Sequence, residues 1–398
     1  MTSFLRWDIF SNIMYTRQIE AYVLNIRNKY QCITIIGPRQ SGKTTLSRKL
    51  FPKHDYITFE SPDLRSQALM DPRSFLASIS SAVLDEVQKV PDLLSYIQEI
   101  LDNPSDSRQL ILTGSNNLLL HEKISQSLAG RTRIIELLPL LRNELPEEER
   151  INDLYKAMYY GGYPRIFNEK LNPSEWLEDY YRTYVERDVR LLLNVGDLNA
   201  FDRFIRLCAG RAGQLINYDG LASDAGISQP TAKSWLSVLQ SSYICFLLEP
   251  HYRNFNKRII KSPKLYFSDT GLLCYLLRIK TPDQIPTYPL IGSIFENWVI
   301  SEVKKSFHHN GKEAPIYFWR DQHGHEVDLV IDRGSDLYCM EIKSGQTFQE
   351  SFIKSVIWLN KLQKRQGGAC IYGGDRNMQI HDIKIYSWKA LPDWLESW

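Results

Sequence analysis

Ile33, Thr34, Ile35 and Ile36 run directly into Gly37, Pro38, Arg39, Gln40, Ser41, Gly42, Lys43 and Thr44, and a helical pattern, Thr45 to Phe51, follows without a break. Few features restrict a fold more tightly. Four β-forming residues need burial, the G-x-x-x-x-G-K-[ST] loop needs glycine conformations, and the helix must begin at the loop's end. Such a strand–loop–helix unit cannot bury its own faces, so it requires further crossover units beside it. Residues 31–141 supply them in the apolar runs CITIIG, YITFE, AVLDEV, QLILTGS and RIIELLP, separated by helical stretches. That alternation predicts a mostly parallel α/β sheet with helices on both faces.

The loop has a chemistry of its own. Glycines let main-chain amides close around phosphate oxygens, and the following helix N-terminus adds partial positive charge. Lys43 is placed to reach β- and γ-phosphates, and the Thr44 hydroxyl to ligate Mg²⁺. The expected ATP-binding set is therefore Gly37 through Thr45. The run Ala82, Val83, Leu84 ends in Asp85 and Glu86. At the strand end of such a sheet, Asp85 would hold Mg²⁺ and Glu86 would orient or deprotonate the attacking water. A further strand, LILTGS, ends in Ser115 and Asn116, polar side chains suited to sensing a γ-phosphate.

With 398 residues, the chain has room for two or three domains. Its formal net charge is only +2, so any basic surface must be local. No apolar run approaches the ~20 residues needed to span a bilayer. Nor does the start, MTSFLRWDIFSNIM, have a secretory layout. We expect a cytoplasmic protein without membrane partners. Six scattered cysteines with no CxxC pair, most inside apolar runs, read as reduced, buried thiols.

GPRQSGKTT, LDEVQKVP, LTGSNN, SLAGR, LLPL, GGYP and YVERDV resemble the AAA+-type ATPases of bacteria and archaea that are fused to a C-terminal domain of unknown function. KSPKLYFSDTGL, FENWVISEV, EVDLVI and EIKSG match the second half of that family, so the resemblance runs from about Tyr15 onward. It implies an ATPase core, a helical and winged-helix middle, and a nuclease-like C-terminal fold. The expected domains are an N-terminal extension over 1–30, an ATPase core over 31–145, a helical lid over 146–210, a winged helix over 211–280, and a nuclease-like domain over 285–398. Arg131 in LAGRTR is either an arginine finger acting across a homo-oligomer or a salt-bridged surface residue. Arg165 in GGYPR is a candidate lid sensor. Trp176, Tyr180 and Tyr184, at four-residue spacing, read as helix packing.

In the middle, Leu221, Ala222 and Ala225 mark one helix, Gly226 a turn, and Ser228 the N-cap of a second helix through Leu239. That is helix-turn-helix spacing. Arg253, Lys257, Arg258, Lys261 and Lys264 follow with no acid among them, as on a wing that contacts DNA phosphates. Farther on, Asp328 lies in EVDLVI, and Glu341 and Lys343 lie in CMEIKS. Side chains alternate along a strand, so Glu341 and Lys343 share a face, and hairpin pairing sets Asp328 beside Glu341. With Glu296 on the preceding helix, this resembles the PD-(D/E)xK nuclease superfamily. The resemblance implies that Asp328 and Glu341 hold Mg²⁺ or Mn²⁺, that Lys343 activates water or steadies the phosphate, and that Glu296 joins them. His323 and His325, with no third ligand nearby, read as a solvent-exposed turn.

Overall fold

A computed structural model describes residues 14–115, 126–189, 197–251, 261–321, 323–334, 336–363, 367–391 and 394. The expected extension up to residue 13, the position Asn116 and the cations Arg253, Lys257 and Arg258 lie outside the described residues.

The first sheet is built from β1 (Cys32–Gly37), β2 (Asp55–Thr58), β3 (Ala82–Asp85), β4 (Leu110–Ser115) and β5 (Thr132–Glu136). Its order is β2-β3-β4-β1-β5, with every pairing parallel. Every residue of β1 and β4 is buried, which is why both read as unbroken apolar runs rather than alternating ones. One face is covered by α1 (Ile19–Ile26) and α2 (Lys43–Leu50), through Ile19, Val23, Leu46 and Leu50. The other is covered by α3 (Pro62–Met70), α4 (Pro72–Ala77) and α5 (Leu93–Leu101), through Ala68, Phe75, Leu93 and Ile97. Parallel pairing sets Gly37 beside Ser115, and the register Leu84 to Leu112 brings Asp85 level with Thr113. The strand ends named from the sequence thus share one edge of the sheet.

The middle of the chain is helical: α6 (Leu154–Tyr160), α7 (Pro164–Asn168), α8 (Pro173–Tyr180) continued by a π-helical stretch (Tyr181–Val189), and α9 (Leu198–Ala209). Next come α10 (Tyr218–Ala225) and α11 (Gln229–Ser241). Gly226 turns between them at φ +72°, and the Ser228 hydroxyl accepts from Thr231 N at 3.2 Å, as its N-cap reading required. An antiparallel pair, β6 (Cys245–Leu248) and β7 (Lys264–Phe267), follows.

After α12 (Thr270–Leu276), the long α13 (Ile291–His309) leads into β8 (Ile316–Arg320), β9 (Glu326–Asp332) and β10 (Leu337–Lys343). Then come α14 (Lys354–Gln363), β11 (Ala369–Tyr372), β12 (Met378–Ile380) and β13 (Ile383–Ser387). The second sheet runs β12-β13-β11-β10-β9-β8. The last third of the chain reads from sequence as an independent module, and here the structure differs. One apolar cluster runs from Leu154 to Trp394, taking in Phe204, Trp235, Phe295, Phe318 and Met340. The seam is also stitched by the backbone: Phe267 N donates to Asn297 Oδ1 at 2.7 Å, Asn297 Nδ2 donates back to the Phe267 carbonyl at 2.9 Å, and Pro250 bridges to Phe318.

The motifs GGYP and SDTG meet in this seam. Asp269 caps α12 by accepting from Leu272 N at 3.0 Å, and its other oxygen accepts from Gly162 N at 2.7 Å. Gly161 has φ +64° and ψ −148°, a region open only to glycine, and a Cβ there would lie 2.3 Å from Asp269 Oδ1. Gly161→Ala should therefore destabilise the chain by about 3 kcal/mol or more, seen as a lower urea midpoint with an unchanged slope. A midpoint equal to wild type would remove this contact from the account.

Candidate nucleotide site and carboxylate cluster

The loop after β1 is shaped by its glycines. Gly37 packs so closely that a Cβ would lie 2.2 Å from the Leu137 carbonyl, and Gly42 caps α2 at φ +96°. Lys43, almost fully buried, donates through Nζ to the carbonyls of Gly37 at 3.1 Å and Pro38 at 2.7 Å. Burial pulls its pKa down to about 8, against the charges of Glu86 and Asp85. Ser41 Oγ is buried without a hydrogen-bond partner among the described residues, a donor that a phosphate would satisfy.

Asp85 is the hub of the strand edge. Thr44 Oγ1 lies 3.2 and 3.3 Å from its two oxygens, Tyr56 OH donates to Oδ2 at 2.6 Å, and Thr113 Oγ1 donates to Oδ1. Tyr56 and Thr113 escaped the sequence reading because strand register alone brings them here. A hydroxyl beside a carboxylate at the mouth of a phosphate loop is a donor set that fits Mg²⁺. Bound there, the ion would screen phosphate charge while Thr44 and Asp85 hold it. Glu86 turns out of β3 at φ +60°, a left-handed conformation that costs a non-glycine residue energy. Its carboxylate accepts from Gln88 Nε2, which also donates to Ser115 Oγ at 2.9 Å. Gln88 is a further member of the edge that sequence reasoning missed.

Beside this edge lies a cleft of about 460 Å³ with Lys43, Thr44, Thr45, Glu60, Glu86, Arg165 and Glu169 in its walls. Arg165 lines the cleft and pairs with Glu169 at 2.8 Å. A small recess with Tyr15, Leu46, Leu140 and Pro164 in its walls beside the charged Arg17, Glu20 and Lys49 opens at Gly42 and Thr45. Trp176, Tyr180 and Tyr184 pack as expected. They also wall a second cleft of about 410 Å³ that shares Arg39, Gln40 and Arg165 with the first. Arg131 pairs with Asp102 at 2.6 Å and precedes the strand residue that aligns with Cys32, at the edge of the sheet away from Gly37. It therefore cannot serve its own phosphate loop.

The second cluster lies where β9 and β10 face α13. Met340 aligns with Leu329, so Glu341 falls beside Asp328 on one face of the sheet. Lys343 Nζ donates to Asp328 at 2.9 Å and also contacts Glu341. Burial and the neighbouring Asp328 push Glu341 up to about 9, against the attraction of Lys343. Asp328 is held below the usual carboxylate range: burial opposes this, but Lys343 and Lys264 outweigh it.

Glu296 reaches the same cluster, but not in the expected role. It is taken by Lys264 Nζ at 3.0 Å and Tyr266 OH at 2.5 Å. Lys264, expected as an exposed wing cation, is instead 2% exposed and also pairs with Glu326 at 2.5 Å. The reason is strand alternation: in Lys264–Phe267, residues 264 and 266 share a face, and that face meets the cluster. Only Lys261 of the described wing cations is exposed. With Glu296 engaged, no group of three or more His, Cys, Asp or Glu among the described residues is arranged to hold a metal ion. Asp328 and Glu341 remain side by side as the two carboxylates that the nuclease resemblance assigns to a divalent ion. His325 pairs with Asp321 at 2.9 Å and stacks on Trp358, while His323 N donates to the same carboxylate; both histidines are exposed, in a turn as read. All six cysteines are free and buried.

Two substitutions separate the roles at the phosphate loop. Lys43→Ala should lower ATP affinity by about tenfold or more, the loss of a charged donor. Glu86→Gln should retain nucleotide but slow hydrolysis by about a hundredfold or more. Titration calorimetry beside phosphate release checks both. Wild-type turnover in Glu86→Gln would move the water-orienting role to another residue.

Residues 29–145 match the family described as an AAA domain, 151–283 a domain of unknown function (DUF8612), and 291–391 another (DUF4143). An uncharacterized protein of Mycobacterium tuberculosis is 30% identical over 359 residues, 89% of this chain and 79% of that protein. One from Haemophilus influenzae is 25% identical over 275 residues, 60% of this chain and 67% of that protein. Among solved structures, a Walker-type ATPase of Pyrococcus abyssi is 14% identical, covering 68% of this chain and 97% of its own, with a TM-score of 0.40. No helix among the described residues is long and apolar enough to cross a membrane. The chain carries a P-loop ATPase-type domain followed by two domains of unknown function, and it belongs to the family of the uncharacterized mycobacterial protein.

Proposed function

We propose that this chain is a cytoplasmic, Mg-dependent ATPase that acts on nucleic acid, DNA first among the candidates, and that its C-terminal domain is a PD-(D/E)xK nuclease-like module. One observation carries the ATPase reading: Lys43, Thr44 and Glu86 line one cleft, and Thr44 also contacts Asp85. ATP would lie with its phosphates along the loop from Gly37 to Thr45 and its base in the recess beside Tyr15 and Leu46. Glu86 and Ser115, linked through Gln88, would fix the attacking water. The nucleic-acid reading rests on the helix-turn-helix with its hairpin, on exposed Lys261, and on the fold of the carboxylate cluster. If Arg131 is a finger it acts in trans, so that role requires a homo-oligomer.

A second reading keeps ATP turnover but makes the C-terminal domain a binding module in an ATP-gated switch or scaffold. The pairing of Glu296 with Lys264 and Tyr266 favours it, because the third acid is already occupied.

One experiment divides the two. Purified protein is incubated with single- and double-stranded DNA and RNA, Mg²⁺ or Mn²⁺, and ATP, while phosphate release and strand length are both followed. Nucleic acid should raise ATP turnover, and Asp328→Ala should abolish any cleavage while ATP hydrolysis continues. Binding with no cleavage under either metal selects the switch. ATP turnover indifferent to every nucleic acid, with no binding, would sink the nucleic-acid reading.

A further inference from the structure

Arg17 lies ahead of α1, outside every motif that the nucleotide site uses, yet its buried guanidinium touches the phosphate loop. NH1 donates to the Ser41 carbonyl at 2.8 Å, and NH2 donates to the Leu138 carbonyl at 2.7 Å. Nε donates to Glu144 at 3.0 Å, and NH2 lies 3.4 Å from His309 Nε2. Ser41 sits at the crest of the loop, so fixing its carbonyl fixes which way the neighbouring amides face. A planar fork with fixed donor directions suits this task, and a lysine ammonium does not.

The fork is itself held from two sides. Glu144 accepts from Gln18 N at 2.8 Å and Leu141 N at 2.9 Å, and one of its oxygens lies 3.1 Å from His309 Nδ1. Nε2 of His309 faces the guanidinium, from which it can only accept, while Nδ1 lies near Glu144 without forming a hydrogen bond. His309 ends α13, and the same helix is tied down by Lys305 Nζ on the Leu140 carbonyl at 3.3 Å and by Glu302 on Arg142 N at 2.9 Å. Glu296, in the carboxylate cluster, stands on that helix about 20 Å away at ~1.5 Å per residue.

We propose that Arg17 is the positioning residue of the phosphate loop, and that its grip on Ser41 depends on α13 being docked, because His309 and Glu144 orient its guanidinium. The inference rests on the ATP-binding reading above. It makes nucleotide affinity a property of the C-terminal domain's placement as well as of the loop. Arg17 meets the loop in the ground state and the transition state alike, so its loss should act on KM rather than kcat.

The test measures ATP KM, kcat and melting temperature for the full chain and three variants. Arg17→Lys should raise KM about tenfold, with kcat within about threefold of wild type. His309→Leu, which touches neither loop nor nucleotide, should raise KM several-fold. His309→Gln, whose amide keeps a donor and an acceptor, should restore most of that loss. A merely structural arginine would lower the melting temperature and leave KM in place. That result in Arg17→Lys overturns the proposal, and an unchanged KM in His309→Leu overturns its dependence on α13. A wild-type chain that binds no ATP overturns the ATPase reading and this one with it. A wild type that binds ATP no more tightly than Arg17→Lys overturns only this one.

Discussion

The burial of polar side chains along α13 is the constraint on which the arrangement of this chain depends. Glu296, Asn297, Glu302, Lys305, His308 and His309 all lie on one helix of 19 residues, and their partners lie in three other segments, β7, β5 and residues 140–144. Glu296 meets β7, Asn297 the backbone of Phe267, Glu302 the amide of Arg142, His308 the carboxylate of Glu136 at 3.0 Å, and His309 that of Glu144. A buried ion pair adds little net stability, because desolvation offsets its attraction, but removing one partner strands a charge and costs several kcal/mol, of order 3–5. Such contacts penalise every other placement of the helix. They select one docking of the ATPase core, the middle helices and the second sheet.

Protonation follows the same logic. Burial pushes His308 down to about 4 even with Glu136 beside it. An unfolded imidazole takes a proton below about 6.5, so between about 6.5 and 4 the unfolded chain binds more protons than the folded one. The contribution of His308 to stability is therefore present above that window and lost as pH falls through it. Glu144 behaves alike at lower pH. Burial opposes its charge, but Arg17 and His309 hold it down to about 2, so its share is lost between the ordinary carboxylate range and about 2. Both groups sit where the ATPase core meets α13, so mild acid weakens that junction before strongly acidic conditions remove it.

The phosphate loop could be read from sequence because its chemistry lies in consecutive residues, and the acids at the end of β3 because a strand delivers its last residues to a known edge. The parallel sheet followed from apolar strand runs alternating with helical stretches. What stayed hidden came from contacts between distant segments. Tyr56 and Thr113 reach Asp85 only through strand register, and Arg17 reaches Ser41 only through the packing of α1. Lys264 misled for a different reason: its neighbours in sequence are basic, so it reads as part of a charged surface, while the alternation in KLYF already set it and Tyr266 on one face. The same alternation in EVD places Glu326 with Asp328, a signal that was present and unused. The apparent independence of the last third failed because its apolar face is completed by residues from Leu154 onward, which no local pattern announces.

The charge balance of the second cluster bears on what that site can admit. Glu296, Glu326, Asp328 and Glu341 are its acids, and Lys264, Lys343 and Arg320, which pairs with Glu326 at 3.0 Å, are its bases. Burial raises the pKa of Glu341 and of Glu296 alike, so the cluster carries less negative charge than four carboxylates would give. A divalent cation entering beside Asp328 would meet two ammonium groups already in contact with the acids, and buried like charges at such range repel strongly. An ion beside Asp328 would compete with Lys343 for Asp328 and Glu341, and with Lys264 for Glu296. β7, which carries Lys264, is itself held to α13 through Phe267 and Asn297. The cluster is thus tied to the same helix whose far end, at His309, meets the arginine beneath the phosphate loop.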